Sequence, residues 1–243
     1  MCRIAAYRGP RITLGEFLTQ PAHSLARQSW DAREMASATV NADGWGAGWY
    51  AADGQPAIYR HTLPIWADGN VDALSRSLNA DLWLANVRSA TSGLGTDHAN
   101  TQPFAGDGLM FLHNGFIADF ARSARVDMRR RIRPDIEADI QGNTDSEYLF
   151  ALLRSQVGSL QERLSATLEI VSQLLSALEH GKALLNMIVT DGHDIAYVRS
   201  AFGADAPSLY RHDSWHGGVC IASEAFDDDP RWQPIEPHTP ITV

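Results

Sequence analysis

Cys2 stands directly behind Met1 in the opening stretch Met1-Cys2-Arg3-Ile4-Ala5-Ala6-Tyr7. Methionine before a small residue is the kind trimmed in cells, and trimming leaves Cys2 with both a thiol and a free α-amine. The amine titrates near ~7.7–8.0 and the thiol near ~8.5, so at neutral pH a proton passes between them at little cost. One residue then supplies a nucleophile and its own base, the amine standing where a triad has histidine. A second-position cysteine alone is commonplace. Such a nucleophile also needs donors for a developing oxyanion and charges that hold a substrate.

Several segments combine chemically useful side chains with chain breakers. In Asn41-Ala42-Asp43-Gly44-Trp45-Gly46-Ala47-Gly48, alternating glycines enter a strand and permit close approach of another backbone. No helix follows, which excludes a dinucleotide loop. In Asn86-Val87-Arg88-Ser89-Ala90-Thr91, Arg88 leaves a strand end and could clamp a carboxylate with its planar fork or pair with a neighbouring acid. In His113-Asn114-Gly115, the Asn114 amide and the Gly115 N–H can converge on one negative oxygen, although Asn-Gly is also a common tight turn. His113 could act as a base, but a histidine ending an apolar strand is more often structural. In Gly142-Asn143-Thr144-Asp145-Ser146-Glu147, Asp145 falls in the first turn of a helix, where a carboxylate is favoured in any case.

These residues need a scaffold, and the chain can build one. With 243 residues, 44% hydrophobic and 20% charged, it can bury the core of one large domain spanning residues 1–243. The N-terminal half reads as strands: 2–7, a hairpin of 46–50 and 57–61 around Asp53-Gly54, 81–87 and 109–113. Thr144 N-caps a helix to Gln156 with Glu147 as its capping-box partner, and a leucine stripe from Leu160 to Leu178 makes a second helix. Strands return at 183–190, 195–199, 208–211 and 219–222. Strands, two helices and strands again suit an α+β fold with two sheets between helices.

The formal charge of −9 argues against a nucleic-acid partner. No apolar run approaches the ~20 residues of a membrane span, and no secretory signal opens the chain. Cys2 and Cys220 are its only cysteines, so no disulfide framework is expected and a cytoplasmic location is. Cys220, in an apolar run, reads as a buried small hydrophobe. The run Arg125, Arg129, Arg130, Arg131 and Arg133, followed by Asp135, Glu137 and Asp139, reads as solvated helix faces. His212 and His216 lack the companions of a metal site. Neither a metal nor a cofactor is called for.

The order of Cys2, the glycine-rich strand start, Arg-Ser-Ala-Thr, Gln102-Pro103-Phe104, His-Asn-Gly and Thr-Asp-Ser-Glu resembles that of the class II glutamine amidotransferases, a family of N-terminal-nucleophile hydrolases. Met1-Cys2-Arg3, Asn41–Gly46, Val87–Thr91 and Ala222–Asp229 are most similar to its stand-alone, ergothioneine-pathway γ-glutamyl amidohydrolases. The resemblance implies a four-layer αββα sandwich. It also implies that Met1 is removed, that Cys2 is the nucleophile and that Asn114 and Gly115 form the oxyanion hole. Arg88, helped by Thr91, would hold the substrate α-carboxylate and Asp145 its α-ammonium, with His113 counted among the substrate-binding residues. The implied reaction cleaves a γ-glutamyl amide through a γ-glutamyl thioester and releases glutamate.

The amidase fold would use essentially the whole chain, leaving ammonia either to a separate synthase partner or to no acceptor, and simple hydrolysis is the favoured expectation. A non-catalytic γ-glutamyl or amino-acid binding protein is the rival of another class. Cys2 and the Asn114-Gly115 pair, superfluous for binding alone, favour the enzyme.

Overall fold

The computed structural model describes residues 1–35, 40–90 and 97–243, so Thr91 lies outside the described residues. The chain begins with β1 (Arg3–Thr13), α1 (Leu14–Leu18), α2 (Leu25–Gln28), β2 (Trp45–Tyr50), β3 (Pro56–His61), α3 (Val71–Ser77) and β4 (Asn79–Val87). It continues through β5 (Phe104–Gly106), β6 (Leu109–Ile117), α4 (Arg125–Arg129), α5 (Pro134–Glu137), α6 (Asp145–Arg154) and α7 (Leu160–Ser176). It closes with β7 (Ala183–Thr190), β8 (Ile195–Val198), β9 (Ala201–Phe202), β10 (Tyr210–Trp215), β11 (Gly218–Ala222), β12 (Gln233–Pro234) and β13 (Ile241–Thr242).

Two antiparallel sheets result. One runs β12-β10-β11-β1-β4-β2-β3 and the other β13-β8-β7-β6-β5, with β9 added beside β7. Alternation along each strand assigns its two faces. On β1, Ile4 and Ala6 join Leu82, Leu84, Met110, Leu112 and Ile188 in the core between the sheets. Ala5 and Tyr7 point the other way, against Phe17, Leu18 and Leu25 of the small helices. Behind the second sheet, Phe111, Ile117 and Val189 pack on Leu149, Leu153, Leu164 and Val171 of α6 and α7. Three apolar layers thus hold four structural layers, helix on sheet on sheet on helix.

Local signals account for many elements. Thr144 caps α6 by accepting the Glu147 amide, and Ser159 opens α7 with a complete capping box. Gly54, at φ 75°, turns the β2–β3 hairpin. Gly46 and Gly48 permit the close approach expected of them: a Cβ on Gly46 would lie 2.2 Å from the Gln102 carbonyl, and one on Gly48 2.7 Å from Met110 Sδ. Cys220 is buried. The arginine run is a surface feature, with Arg129 bridged to Glu137, Arg130 to Asp127 and Arg133 to Asp135.

The structure corrects three readings. The strand expected at 109–113 runs on through Asn114-Gly115 to Ile117, paired with Asn186 and Leu185 of β7. The Glu147 carboxylate does not complete a capping box on Thr144; it accepts the amides of Gln141 at 2.8 Å and Gly142 at 2.7 Å, which curl over the helix start. The strand expected at 208–211 spans 210–215.

Candidate active site

Strand registers bring the candidate residues to one end of the sandwich. Ile4 of β1 lies across from Asn86 of β4, which lies across from Gly46 of β2. Two residues toward the strand ends, and therefore on the same inner face, come Cys2 and Arg88. The Cys2 thiol donates to the Ser89 carbonyl at 3.7 Å. With Met1 in place the Cys2 nitrogen is a peptide amide and no base.

Arg88 is nearly buried and its backbone is pinned. Its amide donates to the Gly44 carbonyl at 2.8 Å, its carbonyl accepts the Asp43 amide at 3.0 Å, and its Nη1 donates to the Asp43 carbonyl at 3.2 Å. The Asp43 carboxylate then takes the Ala90 amide at 2.7 Å. Asp43 thus shapes the turn that presents Arg88, and the positive φ of Gly44, 118°, is what this turn requires.

The opposite wall is one edge of β6. Across from Gly115, the Leu185 amide donates to Ser200, so this pair is not hydrogen-bonded and the Gly115 N–H points to the other edge of β6. On that edge the Gln102 side chain accepts the His113 amide at 2.6 Å and donates to the His113 carbonyl at 2.9 Å. Two residues beyond Gly115, the Ile117 amide donates to Asp145 Oδ2 at 2.6 Å. The Gly115 N–H therefore lies between an amide committed to Gln102 and one committed to Asp145. Strand rise separates successive same-edge amides by about 6.8 Å, comparable to the length of an extended γ-glutamyl side chain.

Asp145 Oδ1 accepts the Ser146 amide at 2.8 Å and lies 3.3 Å from the Ser146 hydroxyl, so both carboxylate oxygens are oriented by backbone donors while Oδ2 keeps a second lone pair. Asn114, on the inner face of β6, is fully buried. Its Nδ2 donates to Ser223 Oγ at 3.3 Å, leaving a second N–H.

His113 is not brought to these groups. Its ring lies on the helix-facing side of β6, where Nε2 donates to the Leu184 carbonyl at 3.0 Å and Nδ1 accepts from the Ser146 hydroxyl at 2.8 Å. Burial holds its pKa below the ordinary value of 6.5, against an opposing pull from Asp145. The ring thereby anchors the start of α6.

Cys2 is carried by an anchored strand. Arg3 points to the opposite face of the sheet, where its guanidinium meets buried Glu224 at 3.3 Å. Glu224 also pairs with His23 at 2.7 Å and accepts the Arg33 and Glu34 amides.

Sequence reasoning included Asp43, Asn86 and Ser223 in its motifs but gave none of them a role. Asn86 is fully buried and, among the described residues, neither polar atom of its carboxamide is hydrogen-bonded. Its signal was present, a polar residue inside the apolar run 81–87. The cleft between β3, β5 and α6, lined by Arg60, Phe104, Glu147 and Arg154, shares no residue with the assembly around Cys2. No described helix is long and apolar enough to cross a membrane.

Known proteins match this architecture. The family of glutamine amidotransferases class-II matches residues 16–229, a range that begins after Cys2. The chain is 29% identical over 235 residues to the gamma-glutamyl-hercynylcysteine sulfoxide hydrolase of Mycolicibacterium smegmatis, covering 97% of this chain and 92% of that protein. The structure of a glutamine aminotransferase class-II domain protein from Silicibacter pomeroyi superposes with a TM-score of 0.73 at 24% identity, covering 100% of this chain and 94% of that one. The glutamine PRPP amidotransferase of B. subtilis superposes with a TM-score of 0.61 at 14% identity over 98% of this chain and 46% of its own. These structural likenesses bear out the αββα fold of the N-terminal-nucleophile type.

Proposed function

The chain belongs to the class II glutamine amidotransferases, and on that premise we propose that it hydrolyses a γ-glutamyl amide with Cys2 as nucleophile. The observation that carries this reading is the edge of β6: a Gly115 amide with no partner among the described residues, one same-edge step from the Asp145 carboxylate, on the strand whose Asn114 is joined through Ser223 to Ile4, two residues from Cys2. Arg88 takes the substrate α-carboxylate, in the region of Thr91, and Asp145 the α-ammonium. A zwitterionic head needs one fixed cation and one fixed anion, since burying either charge unpaired is costly.

Once Met1 is removed, the Cys2 amine accepts the thiol proton and Sγ attacks the γ-carbonyl carbon. The carbonyl π electrons move to oxygen, and that oxyanion accepts hydrogen bonds from Asn114 Nδ2 and the Gly115 N–H. Collapse breaks the C–N bond while the Cys2 ammonium returns its proton to the departing nitrogen, leaving a γ-glutamyl thioester. Water, giving a proton to the same amine, attacks the thioester; the C–S bond breaks, the thiol is restored and glutamate leaves. His113 contributes by holding Ser146, and with it the helix that carries Asp145.

The near full-length likeness to the mycobacterial sulfoxide hydrolase supports a thiol-derived γ-glutamyl conjugate as substrate, the γ-glutamyl hydrolase step of ergothioneine biosynthesis. The test is mass spectrometry of the native N-terminus followed by a glutamate-release screen over γ-glutamyl compounds. Release that depends on Cys2 supports the proposal, and no release from any of them overturns it. The family's glutaminases favour an alternative in which ammonia passes to a separate synthase chain; release of glutamate by the purified protein alone decides against dependence on such a partner.

A further inference from the structure

Ser223 lies just beyond β11, fully buried, at the seam between the two sheets. Its amide donates to the Ile4 carbonyl at 2.9 Å, continuing the β1–β11 ladder. The reciprocal bond is different. The Ile4 amide donates to the Ser223 hydroxyl at 3.0 Å, in the place where a ladder would offer a backbone carbonyl. The same oxygen accepts Asn114 Nδ2 at 3.3 Å from the facing sheet.

One hydroxyl therefore joins the strand that carries the nucleophile to the side chain that faces it. The join is close to the chemistry: the Ile4 amide and the Cys2 nitrogen, two residues earlier, face the same edge of β1. A carboxamide free to rotate about its last bond would present its oxygen as readily as its nitrogen. Ser223 restricts that freedom: with its oxygen accepting both the Ile4 amide and Nδ2, the nitrogen is held toward β1 and the second N–H takes a set direction. The remaining polar atom of Asn114, Oδ1, has no hydrogen-bond partner among the described residues, so no other bond to them sets the orientation.

We propose that Ser223 is a positioning residue for catalysis, orienting the Asn114 amide as oxyanion donor relative to Cys2. The inference rests on the role proposed above for Asn114. It gives the hydroxyl a kinetic signature that a packing role would not produce, because substrate binding runs through Arg88 and Asp145 while the hydroxyl acts only on the transition state.

The test compares Ser223→Ala, Asn114→Ala and the double variant on L-glutamine and γ-glutamyl-p-nitroanilide, reading kcat and KM from product release, with thermal midpoints alongside. Ser223→Ala is expected to lower kcat roughly 10–100-fold, short of the ~10²–10³ that follows loss of a donor outright, with KM unchanged. The double variant should be no slower than Asn114→Ala alone, as for residues acting through one group. If Ser223→Ala folds poorly, Ser223→Thr and Ser223→Val provide the same contrast at equal bulk, and only the hydroxyl-bearing variant should keep kcat. Full kcat in Ser223→Ala or Ser223→Val, with Asn114→Ala impaired, overturns this inference alone. Undiminished activity in Asn114→Ala overturns the reading beneath it.

Discussion

The Asp145 carboxylate accepts the Ile117 amide at 2.6 Å, joining the first turn of α6 to the last residue of β6. The bond fixes an anion at a set distance along the strand from the Gly115 amide. In Asp145→Asn the charge is lost and one of the two backbone donors now faces an NH₂ group that cannot accept. KM for a γ-glutamyl amide should rise enough to cost about 2 kcal/mol or more in kcat/KM, and stability should fall by about 1–3 kcal/mol. Steady-state kinetics and denaturant titration measure the two effects separately.

Arg88→Lys keeps a cation in the Asp43 turn but removes the planar fork. A lysine ammonium cannot grip a carboxylate through parallel N–H bonds. KM should rise about tenfold or more, equivalent to about 1.4 kcal/mol, while kcat changes less. An unchanged KM would remove Arg88 from the carboxylate site.

Gly115→Ala tests the wall itself. Its Cβ would lie 1.8 Å from the Leu184 carbonyl oxygen, inside a strand pair whose backbone has nowhere to retreat. The expected loss is about 3 kcal/mol or more, at the upper end of overpacking penalties, and a lowered urea midpoint would reveal it.

Glu224→Ala would leave the Arg3 guanidinium buried without its anion. Burial by itself raises the Glu224 carboxyl pKa, but His23, the Arg33 and Glu34 amides and Arg3 together hold it below the usual 4.5. Breaking such a buried pair costs about 3–5 kcal/mol. Calorimetry should show a correspondingly lower unfolding temperature.

His113 makes stability depend on pH. Burial lowers its folded pKa below 6.5, so above pH 6.5 the ring is largely neutral in both folded and unfolded chains and its contribution is constant. As pH falls below 6.5 the unfolded chain takes up a proton that the folded one refuses, and stability declines by at most ~1.4 kcal/mol per pH unit from this group. His113→Gln should show a flatter decline between neutral and mildly acidic pH in denaturant titrations, and an identical slope would contradict the assignment.

What could be read in the sequence was what depends on near neighbours. The Thr144 cap, the hairpin at Asp53-Gly54 and the tight approach at Gly46 all follow from a few consecutive residues. The strand expected at 109–113 was cut short because Asn-Gly favours a turn locally, whereas pairing with Asn186 and Leu185, far along the chain, extends it. Glu147 misled in the same way, since amides delivered by the loop before α6 outcompeted the local cap. Arg88 and Asp145 stood out as candidates by residue type, but Asp43 and Ser223 act through partners that only the folded registers supply.

The Arg3–Glu224 pair anchors the chain immediately after Cys2 and on the opposite side of the sheet. Nothing in that anchor involves the residue before Cys2, so correct folding and chemical competence are separable properties of a preparation. On the proposed mechanism, an extension left at the amino end, whether a retained initiator or an affinity tag, would yield well-behaved yet inert material, and peptide tails for purification belong at the carboxyl end.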